Sequence, residues 1–392
     1  MLVNEKSKAA GKNFQETRSQ FIPVFRPSIT QEEIDAVTEV MKSGWLGLGP
    51  VTEKFEEALA QAFGVKHVIA VNSGTAALHL ALQLLNLQPD DEVIVPTITF
   101  VSTAHVVRYC GARVIFADVD EDTLCIKMDD VRRKVTEKTR AIIPVHYGGH
   151  PCEMAELQDV VQGRNITIIE DAAHACGAEY EGRLIGSISP VTCFSFHAVK
   201  NLTCGEGGAI FTNHSIWARK LRENRWLGIS KDTYTRSGDR VYAWQYWVNE
   251  LGFKYHMHDL SAAIGLVQLK RLQENNDKRR SIAQRYYEGF KKYSWIELPP
   301  EHDNVKSAWH IFHIKVPDRD RLVAHLKAHG IAPGVHYYPI HMHPYYVELK
   351  AQCPVAEEIW KRILSLPMFP DMTDDELDRV IQTVLSFEPA LM

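Results

Sequence analysis

The sequence lacks the features that mark several large classes of protein. It contains no run of about 18 apolar residues, so we expect no membrane-spanning helix and no membrane partner. Its formal net charge is only −5, which argues against a nucleic-acid partner. The polar stretch 1–21 has no apolar core of the length that a signal peptide needs. We therefore interpret it as an N-terminal arm and expect a cytoplasmic protein.

Cysteine is also scarce, and the cysteines are irregularly spaced along the chain. The seven cysteines form no C-x-x-C pair and are odd in number, which disfavours a metal cluster or a disulfide framework. We expect buried, reduced thiols and no bound metal. The cysteine positions are Cys110, Cys125, Cys152, Cys176, Cys193, Cys204 and Cys353.

Apolar strand-like runs alternate with helical patterns through the first half of the chain. Runs such as VIVP, AIIPV and ITIIE are almost continuously apolar, which is typical of strands covered on both faces. The alternation predicts an α/β fold with a mostly parallel central sheet flanked by helices. We place this large domain at 22–258.

A smaller α+β domain is predicted for the remainder, 259–392. It begins with the longest helical pattern of the chain, from Asp259 to about Lys292, which would link the two domains. Further strands are predicted at 308–316 and near 335–338. Further helices are predicted at 319–329, near 355–364 and at 373–385.

Asp171 and Lys200 are the two residues that indicate a chemistry. Each follows an apolar strand, and ligands of a parallel sheet bind outside the carboxyl ends of its strands. A lysine that forms a Schiff base and a carboxylate that pairs with a pyridinium nitrogen are what pyridoxal phosphate requires. Taken alone, Lys200 is better explained as a surface lysine at a strand end, and Asp171 is explained equally well as the cap of a helix at 172–176. Together they make pyridoxal phosphate the central hypothesis.

Other residues at predicted strand ends suit the same cofactor. The small residues Ser73, Gly74 and Thr75 lead into a helix whose N-terminus would bind a phosphate, and Ser195 would share it. The lysine and the glycine spacing of a P-loop are absent. Phe100 would cover the face of the cofactor ring, and His174 would contact its hydroxyl. The alternatives are ordinary helix capping for the hydroxyl residues and a structural role for His174.

These residues resemble the DegT/DnrJ/StrS family of sugar aminotransferases, which has the type I fold of aspartate aminotransferase. The resemblance extends from Ile22 to about Leu385 and implies pyridoxal phosphate as the cofactor. It implies that Lys200 is the Schiff-base lysine and that Asp171 is the partner of the pyridine nitrogen. The matching stretches include GWLGLGPVTEKFE, VNSGTAALHLAL, DEVIVPTITFVST, IIEDAAHACGA, SFHAVKNLTCGEGGAI and HYYPIHMHPYY.

The resemblance further implies a homodimer with shared active sites. Relatives often carry Asn-Tyr-Arg where this chain has Lys254-Tyr255-His256, so Lys254 or His256 is expected to reach the phosphate bound by the partner subunit. Trp226-Leu227-Gly228 stands where Asn-His-Gly is common, and the loop from Trp45 lacks hydroxyl residues that many relatives have. Substrate identity therefore does not follow from the resemblance.

The predicted reaction moves an amino group from L-glutamate or glutamine to a keto-sugar, which we expect to be nucleotide-linked. A keto-cyclitol acceptor is the first alternative. A sugar dehydratase is disfavoured because such relatives replace the lysine with histidine. A regulator without turnover is disfavoured by the intact pair Lys200 and Asp171.

Five residues are predicted to bind the substrate. Arg236 and Arg240 lie in an aromatic and basic stretch that would suit the phosphates and base of a nucleotide, although the stretch would equally suit a dimer interface. Trp45 and Leu46 of the apolar loop and His336 of HYYPIHMHPYY complete the predicted substrate pocket.

Overall fold

The main sheet has seven strands in the computed structural model, which describes residues 21–230 and 246–389. The strand order is β1-β9-β8-β5-β4-β2-β3. All strands run in one direction except β9, which is antiparallel to both of its neighbours. The prediction of a mostly parallel sheet is therefore confirmed. The strands are β1 (His67–Val71), β2 (Glu92–Pro96), β3 (Arg113–Ala117), β4 (Thr139–Ile142), β5 (Thr167–Asp171), β8 (Val191–Ser195) and β9 (Gly208–Thr212).

Helices cover this sheet, as the buried apolar strands require. The first of them starts after Thr30, where the Glu33 carboxylate accepts hydrogen bonds from the backbone N–H and the hydroxyl of Thr30. It ends at Gly44, which adopts φ +73°. The helices before the linking helix are α1 (Gln31–Ser43), α2 (Pro50–Phe63), α3 (Gly74–Gln83), α4 (Ser102–Tyr109), α5 (Met128–Lys134), α6 (Met154–Val161) and α7 (Ser215–Asn224).

The strand ends meet on one side of the sheet because the register aligns them. Val71 of β1 pairs with Gly208 of β9, and Gly208 pairs with Ser195 of β8. A Cβ atom on Gly208 would lie 2.5 Å from the carbonyl oxygen of Ser73, so only glycine fits between the two strand ends. The register thereby brings the start of α3 next to Ser195.

A second hydrophobic core lies at the end of the long helix α8 (Asp259–Phe290). It contains Tyr286 and Phe290 of that helix together with apolar residues of a two-stranded antiparallel sheet. Ile22 belongs to this core as well. The domain boundaries inferred from the sequence stay a prediction. The elements after α8 are β10 (Val305–Lys306), β11 (Phe312–Lys315), α9 (Arg319–Ala328), α10 (Pro354–Ile359), β12 (Ile363–Leu366) and α11 (Asp374–Leu385).

Two local predictions in this region are wrong. Residues 335–338 form no strand, because only Gly334 makes a bridge to Ser365 while the chain then turns toward the main sheet. The helix predicted near 355–364 is a short helix, α10, followed by β12, which pairs with β11. The β-branched and apolar residues of 363–366 favour the strand once that partner is present.

A small three-stranded sheet and 3₁₀ turns complete the described chain. Strands β6 (Glu179–Tyr180) and β7 (Arg183–Leu184) form a hairpin on which β10 pairs. The 3₁₀ turns are Tyr147–Gly149, Ile340–Met342 and Val347–Leu349. No helix of the described chain is long and apolar enough to span a membrane. All seven cysteines are free, and six of them are buried.

Candidate active site

Asp171 ends strand β5 as a buried carboxylate. Thr103 donates its hydroxyl to Oδ2 at 2.8 Å, and the N–H of Ala173 donates to Oδ1 at 3.2 Å. Burial raises the pKa of Asp171, and these two hydrogen bonds act in the opposite direction. No helix follows at 172–176, so the side chain closes a turn and is not a helix cap. A raised pKa indicates that the buried carboxylate is short of positive charge.

Lys200 lies in the turn that follows β8 and is partly buried. Its backbone N–H donates to the carbonyl of His197 at 2.9 Å, which holds the turn. Burial lowers the pKa of Lys200 to about 8, with the charge of Asp171 opposing the shift and that of Arg279 adding to it. At pH 7 roughly a tenth of such an amine is unprotonated, about 300-fold more than for an ordinary lysine. The amine is therefore suited to nucleophilic and base chemistry.

The start of α3 forms an anion cradle with the end of β8. The Ser73 hydroxyl accepts a hydrogen bond from the N–H of Ala76 at 3.1 Å and so caps the helix. Gly74 lies so close to β8 that a Cβ on it would be 2.8 Å from the Cβ of Ser195. Thr75 follows in the first turn. Backbone amides, hydroxyls and the helix dipole at one point are what a phosphate group prefers.

A pocket of about 410 Å³ joins the carboxylate, the amine and the cradle. It contains nine of the residues predicted from the sequence, including His336 from the substrate set. Phe100 lies at its opening and is 58% exposed, with its ring centroid 6.2 Å from that of Tyr337. The predicted residues that line the pocket are Ser73, Gly74, Thr75, Phe100, Asp171, His174, Ser195, Lys200 and His336.

Comparison with known proteins decides the family. A model of the DegT/DnrJ/EryC1/StrS aminotransferase family matches residues 27–385. The chain belongs to the DegT/DnrJ/EryC1/StrS aminotransferase family. It is therefore a pyridoxal-phosphate-dependent aminotransferase with the fold that the resemblance implied.

Its relatives in the DegT/DnrJ/EryC1/StrS family include proteins named for sugar chemistry. The spore coat polysaccharide biosynthesis protein SpsC of Bacillus subtilis is 42% identical, over 94% of this chain and 97% of SpsC. The putative sugar aminotransferase Spr1654 of Streptococcus pneumoniae, solved with pyridoxamine phosphate, has a TM-score of 0.88 at 32% identity, covering 93% of this chain and 98% of that one. PseC of Helicobacter pylori, an aminotransferase of pseudoaminic acid biosynthesis, has a TM-score of 0.87 at 29% identity, with 93% and 98% covered.

The residues at the pocket fit the cofactor of the DegT/DnrJ/EryC1/StrS family. The buried Asp171 carboxylate has a raised pKa and would gain from a protonated ring nitrogen. The cradle from Ser73 to Thr75 leaves space for an anion because glycine stands where a side chain would collide. Lys200 carries an amine that is readily deprotonated. Each part of the cofactor therefore has a matching group in one cavity.

Several pocket residues were missed by the sequence analysis. His310 is 1% exposed and places Nε2 at 3.4 Å from the Lys200 amine. Tyr337 shares a hydrogen bond of 3.2 Å with Nε2 of His174, and Phe25 stacks on His310. Tyr337 lies within HYYPIHMHPYY, so the motif offered a signal for it. Thr103, the donor to Asp171, had no such signal, because hydroxyl residues occur throughout the sequence.

Four predicted residues lie away from this pocket. Trp45 donates its indole N–H to the carbonyl of Leu48 at 2.9 Å, and Leu46 is exposed on the same loop. Lys254 is exposed with Nζ 3.3 Å from the ring centroid of Trp226, and His256 meets the edge of that ring. None of these residues lines the pocket within the described chain. Arg236 and Arg240 lie outside the described residues.

Proposed function

We propose that this aminotransferase moves an amino group from L-glutamate or glutamine to a nucleotide-linked keto-sugar. The observation that carries the proposal is the pocket in which Lys200, Asp171 and the cradle at Ser73 meet. The names of the relatives support a sugar acceptor, since SpsC is named for polysaccharide biosynthesis and Spr1654 as a putative sugar aminotransferase.

Lys200 and Asp171 are the proposed catalytic residues. Lys200 would hold the cofactor covalently through Nζ, and Asp171 would pair with its ring nitrogen. Bound pyridoxal phosphate supplies an electron sink for the carbanion that forms at Cα of the amino donor. Nζ of Lys200 would take the Cα proton of the bound amino donor and later return a proton as general acid. The lowered pKa of Lys200 supports this role.

The remaining pocket residues would bind and orient the cofactor. Backbone amides and hydroxyls of the cradle, with Ser195, would hold its phosphate. His174 would contact its ring hydroxyl, because burial and nearby positive groups lower the pKa of His174 and leave it neutral. Phe100 would cover the ring at the opening of the pocket, where its exposed face is free for that contact.

Residues away from the pocket would serve shared active sites in a cytoplasmic homodimer. In this proposal Lys254 or His256 reaches the phosphate bound by the partner subunit, and the exposure of Lys254 supports such a contact. Trp45 and Leu46 would contact the acceptor across the same interface. Arg236 and Arg240 would bind the phosphates of the acceptor, and His336 would approach the acceptor from within the pocket.

One observation favours a keto-cyclitol as the second candidate acceptor. Among the described residues that line the pocket, Lys200 is the only lysine and no arginine is present. The two phosphates of a nucleotide would therefore find no further strong cation in that part of the pocket, whereas a neutral cyclitol needs none.

A substrate panel tests the proposal. Purified enzyme loaded with pyridoxal phosphate is incubated with L-glutamate and either nucleotide-linked keto-sugars or keto-cyclitols, and 2-oxoglutarate release is measured. Parallel reactions with L-glutamine identify the donor. We expect turnover with a nucleotide-linked keto-sugar that is lost in Lys200→Ala. Turnover restricted to keto-cyclitols would transfer the assignment to the second candidate.

A further inference from the structure

His310 is a buried histidine that contacts the amine of Lys200. It lies between β10 and β11, and its Nε2 is 3.4 Å from Nζ of Lys200. That separation is at the long end of the hydrogen-bond range, and bonds at such sites often tighten when the active complex forms. The contact joins two side chains that are 110 positions apart in the chain.

The imidazole of His310 packs against two rings. Phe25 stacks on one side with ring centroids 5.2 Å apart and an interplanar angle of 6°. The ring of His174 lies at 4.5 Å with an angle of 34°. An aromatic side chain packed in this way has little rotational freedom. Nε2 is therefore held at a defined place beside the lysine amine.

The backbone around His310 is anchored as firmly as its ring. Ala308 N–H donates to the Gly149 carbonyl and Ile311 N–H to the Gly148 carbonyl, each at 3.0 Å. Gly149 has φ +100°, and a Cβ on it would lie 2.8 Å from the backbone nitrogen of Trp309. The two glycines thus let the 3₁₀ turn after β4 pack directly against the backbone that carries His310.

The charges that face this contact keep His310 neutral. Lys200 faces Asp171 and Arg279, and His310 faces Lys200, Arg279 and two further histidines. Burial first, and then these neighbouring residues, lower the pKa of His310 well below its ordinary value. A neutral imidazole with its hydrogen on Nδ1 accepts at Nε2. Nδ1 is buried and has no hydrogen-bond partner among the described residues. The two further histidines are His174 and His336.

The geometry points to His310 as a positioning residue for Lys200, with Nε2 accepting one N–H of the lysine and aiming its amine. This inference rests on the proposed catalytic role of Lys200. A carboxylate in the same place would hold a proton on the lysine, because an opposite charge raises the pKa of an amine. A neutral acceptor orients the amine and raises its pKa less, so more of the amine stays unprotonated. No bond to hydrogen is broken in this role, since the proton stays on Lys200.

The test compares two variants of His310. One keeps the packing of the ring, and the other keeps a hydrogen-bond acceptor. His310→Phe retains the stack on Phe25 but removes Nε2, whereas His310→Gln retains an amide oxygen. Holoenzyme is mixed rapidly with L-glutamate, and the decay of the visible band of the cofactor gives the rate of the first half-reaction. We expect His310→Phe to slow that rate by about 10–100-fold, because a misaimed base loses reactivity steeply. His310→Gln should recover part of it.

Two further measurements distinguish a role of His310 in orienting Lys200 from a role in packing alone. The half-saturating glutamate concentration should change by less than about threefold, since the side chain acts on the base and not on the donor. The acid limb of the rate profile should move to lower pH in His310→Phe, because the lost acceptor had stabilised the ammonium form of Lys200. A purely structural loss would alter the amount of active enzyme without moving this limb.

His313 provides the matched control. It is a buried histidine of β11, its pKa is lowered by burial to about 3, and it does not line the pocket. His313→Phe therefore removes an imidazole from the same region without touching Lys200. We expect its half-reaction rate and pH profile to match those of the unaltered enzyme.

Borohydride reduction followed by peptide mass spectrometry distinguishes failure of the proposed function from failure of the role of His310. A cofactor adduct on a lysine other than Lys200 would overturn the proposed function, and the role of His310 with it. An adduct on Lys200 with an unchanged rate and pH profile in His310→Phe would overturn the role of His310 alone. If His310→Phe does not fold, His310→Asn replaces it, since the shorter amide withdraws the acceptor, and the same slowing is expected.

Discussion

The chain carries two lysine sites with opposite surroundings. Lys200 lies in a pocket at the strand ends, where burial lowers its pKa to about 8. Lys254 lies on an exposed edge over the ring of Trp226, and burial lowers its pKa as well. Close to it Leu251 is 89% exposed. Lysine therefore lies inside a pocket in one region and on the exposed surface in the other.

This difference indicates that the two regions have different roles. The pocket brings together the Lys200 amine, the buried Asp171 carboxylate and the start of α3, all from one chain. The exposed edge combines a cation with large apolar surface, which is what an interface requires. In our account, the first region performs the reaction and the second completes the site of a partner subunit.

The largest expected effect separates the two lysines directly. Lys200→Ala should reduce turnover by about 10⁴-fold or more, because the base and the covalent attachment are lost together. Lys220→Ala is the matched control, since Lys220 is a partly exposed lysine that pairs with Glu250. Steady-state release of 2-oxoglutarate measures both. Near-normal turnover in Lys200→Ala would remove the basis for placing the chemistry in the pocket.

Asp171→Asn should have the next largest effect on turnover. A neutral amide cannot stabilise the protonated ring nitrogen, so we expect turnover to fall by roughly 10²–10³-fold, comparable to the loss of one electrostatic group. Circular dichroism should show an unchanged fold, because Thr103 can still donate to the amide oxygen. Turnover close to that of the unaltered enzyme would return Asp171 to a purely structural role.

The same substitution should change the pH dependence of stability without cofactor. The pKa of Asp171 is raised by burial, so its charged form destabilises the folded state as pH rises through the ordinary pKa toward the folded one. Cofactor-free Asp171→Asn should therefore be at least as stable as the unaltered protein at pH 7. The difference should vanish at acid pH, where Asp171 is protonated. Denaturant titrations at both pH values measure it, and a less stable variant at pH 7 would contradict the cause assigned here.

Mixed dimers examine the exposed edge. Either Lys254→Ala or His256→Ala should lose activity, depending on which residue reaches the phosphate bound by the partner subunit, and the inactive variant identifies that residue. Co-expressed with Lys200→Ala, that variant should recover up to about a quarter of full activity, since half of the dimers would contain one intact site. A fully active monomer in light scattering would exclude shared sites.

The smallest expected effect concerns the acceptor. Arg236→Ala and Arg240→Ala should raise KM for a nucleotide-linked acceptor by about 3–10-fold while leaving glutamate kinetics unchanged, because each removes one positive charge that would bind the phosphates. Steady-state kinetics with varied acceptor measure this change. Unchanged acceptor kinetics in both variants would favour the keto-cyclitol.

The sequence predicted the main sheet well because its strands are buried on both faces. A run such as ITIIE has no alternative use in a protein without membrane helices, and its polar end then identified Asp171. The second half was harder. Residues 363 and 364 were predicted as the end of a helix, and only the pairing of 363–366 with β11 makes this segment a strand. Such long-range pairing leaves no periodic signal in the local sequence.

The residues of the candidate site were likewise predictable where the local sequence positions them and not where long-range packing does. Residues at strand ends were predicted because the sheet itself brings them together, as for Lys200 and Ser195. His310 approaches Lys200 from a segment beyond α8, so its position depends on packing between distant parts of the chain. Its role could not be inferred from spacing alone.

The site of covalent cofactor attachment tests the central claim most directly. Holoenzyme is reduced with borohydride, digested, and its peptides are sequenced by mass spectrometry. The account predicts one reduced adduct, on Lys200 in the peptide that contains SFHAVKN. An adduct on Lys254 or on another lysine, or one that persists in Lys200→Ala, would contradict it.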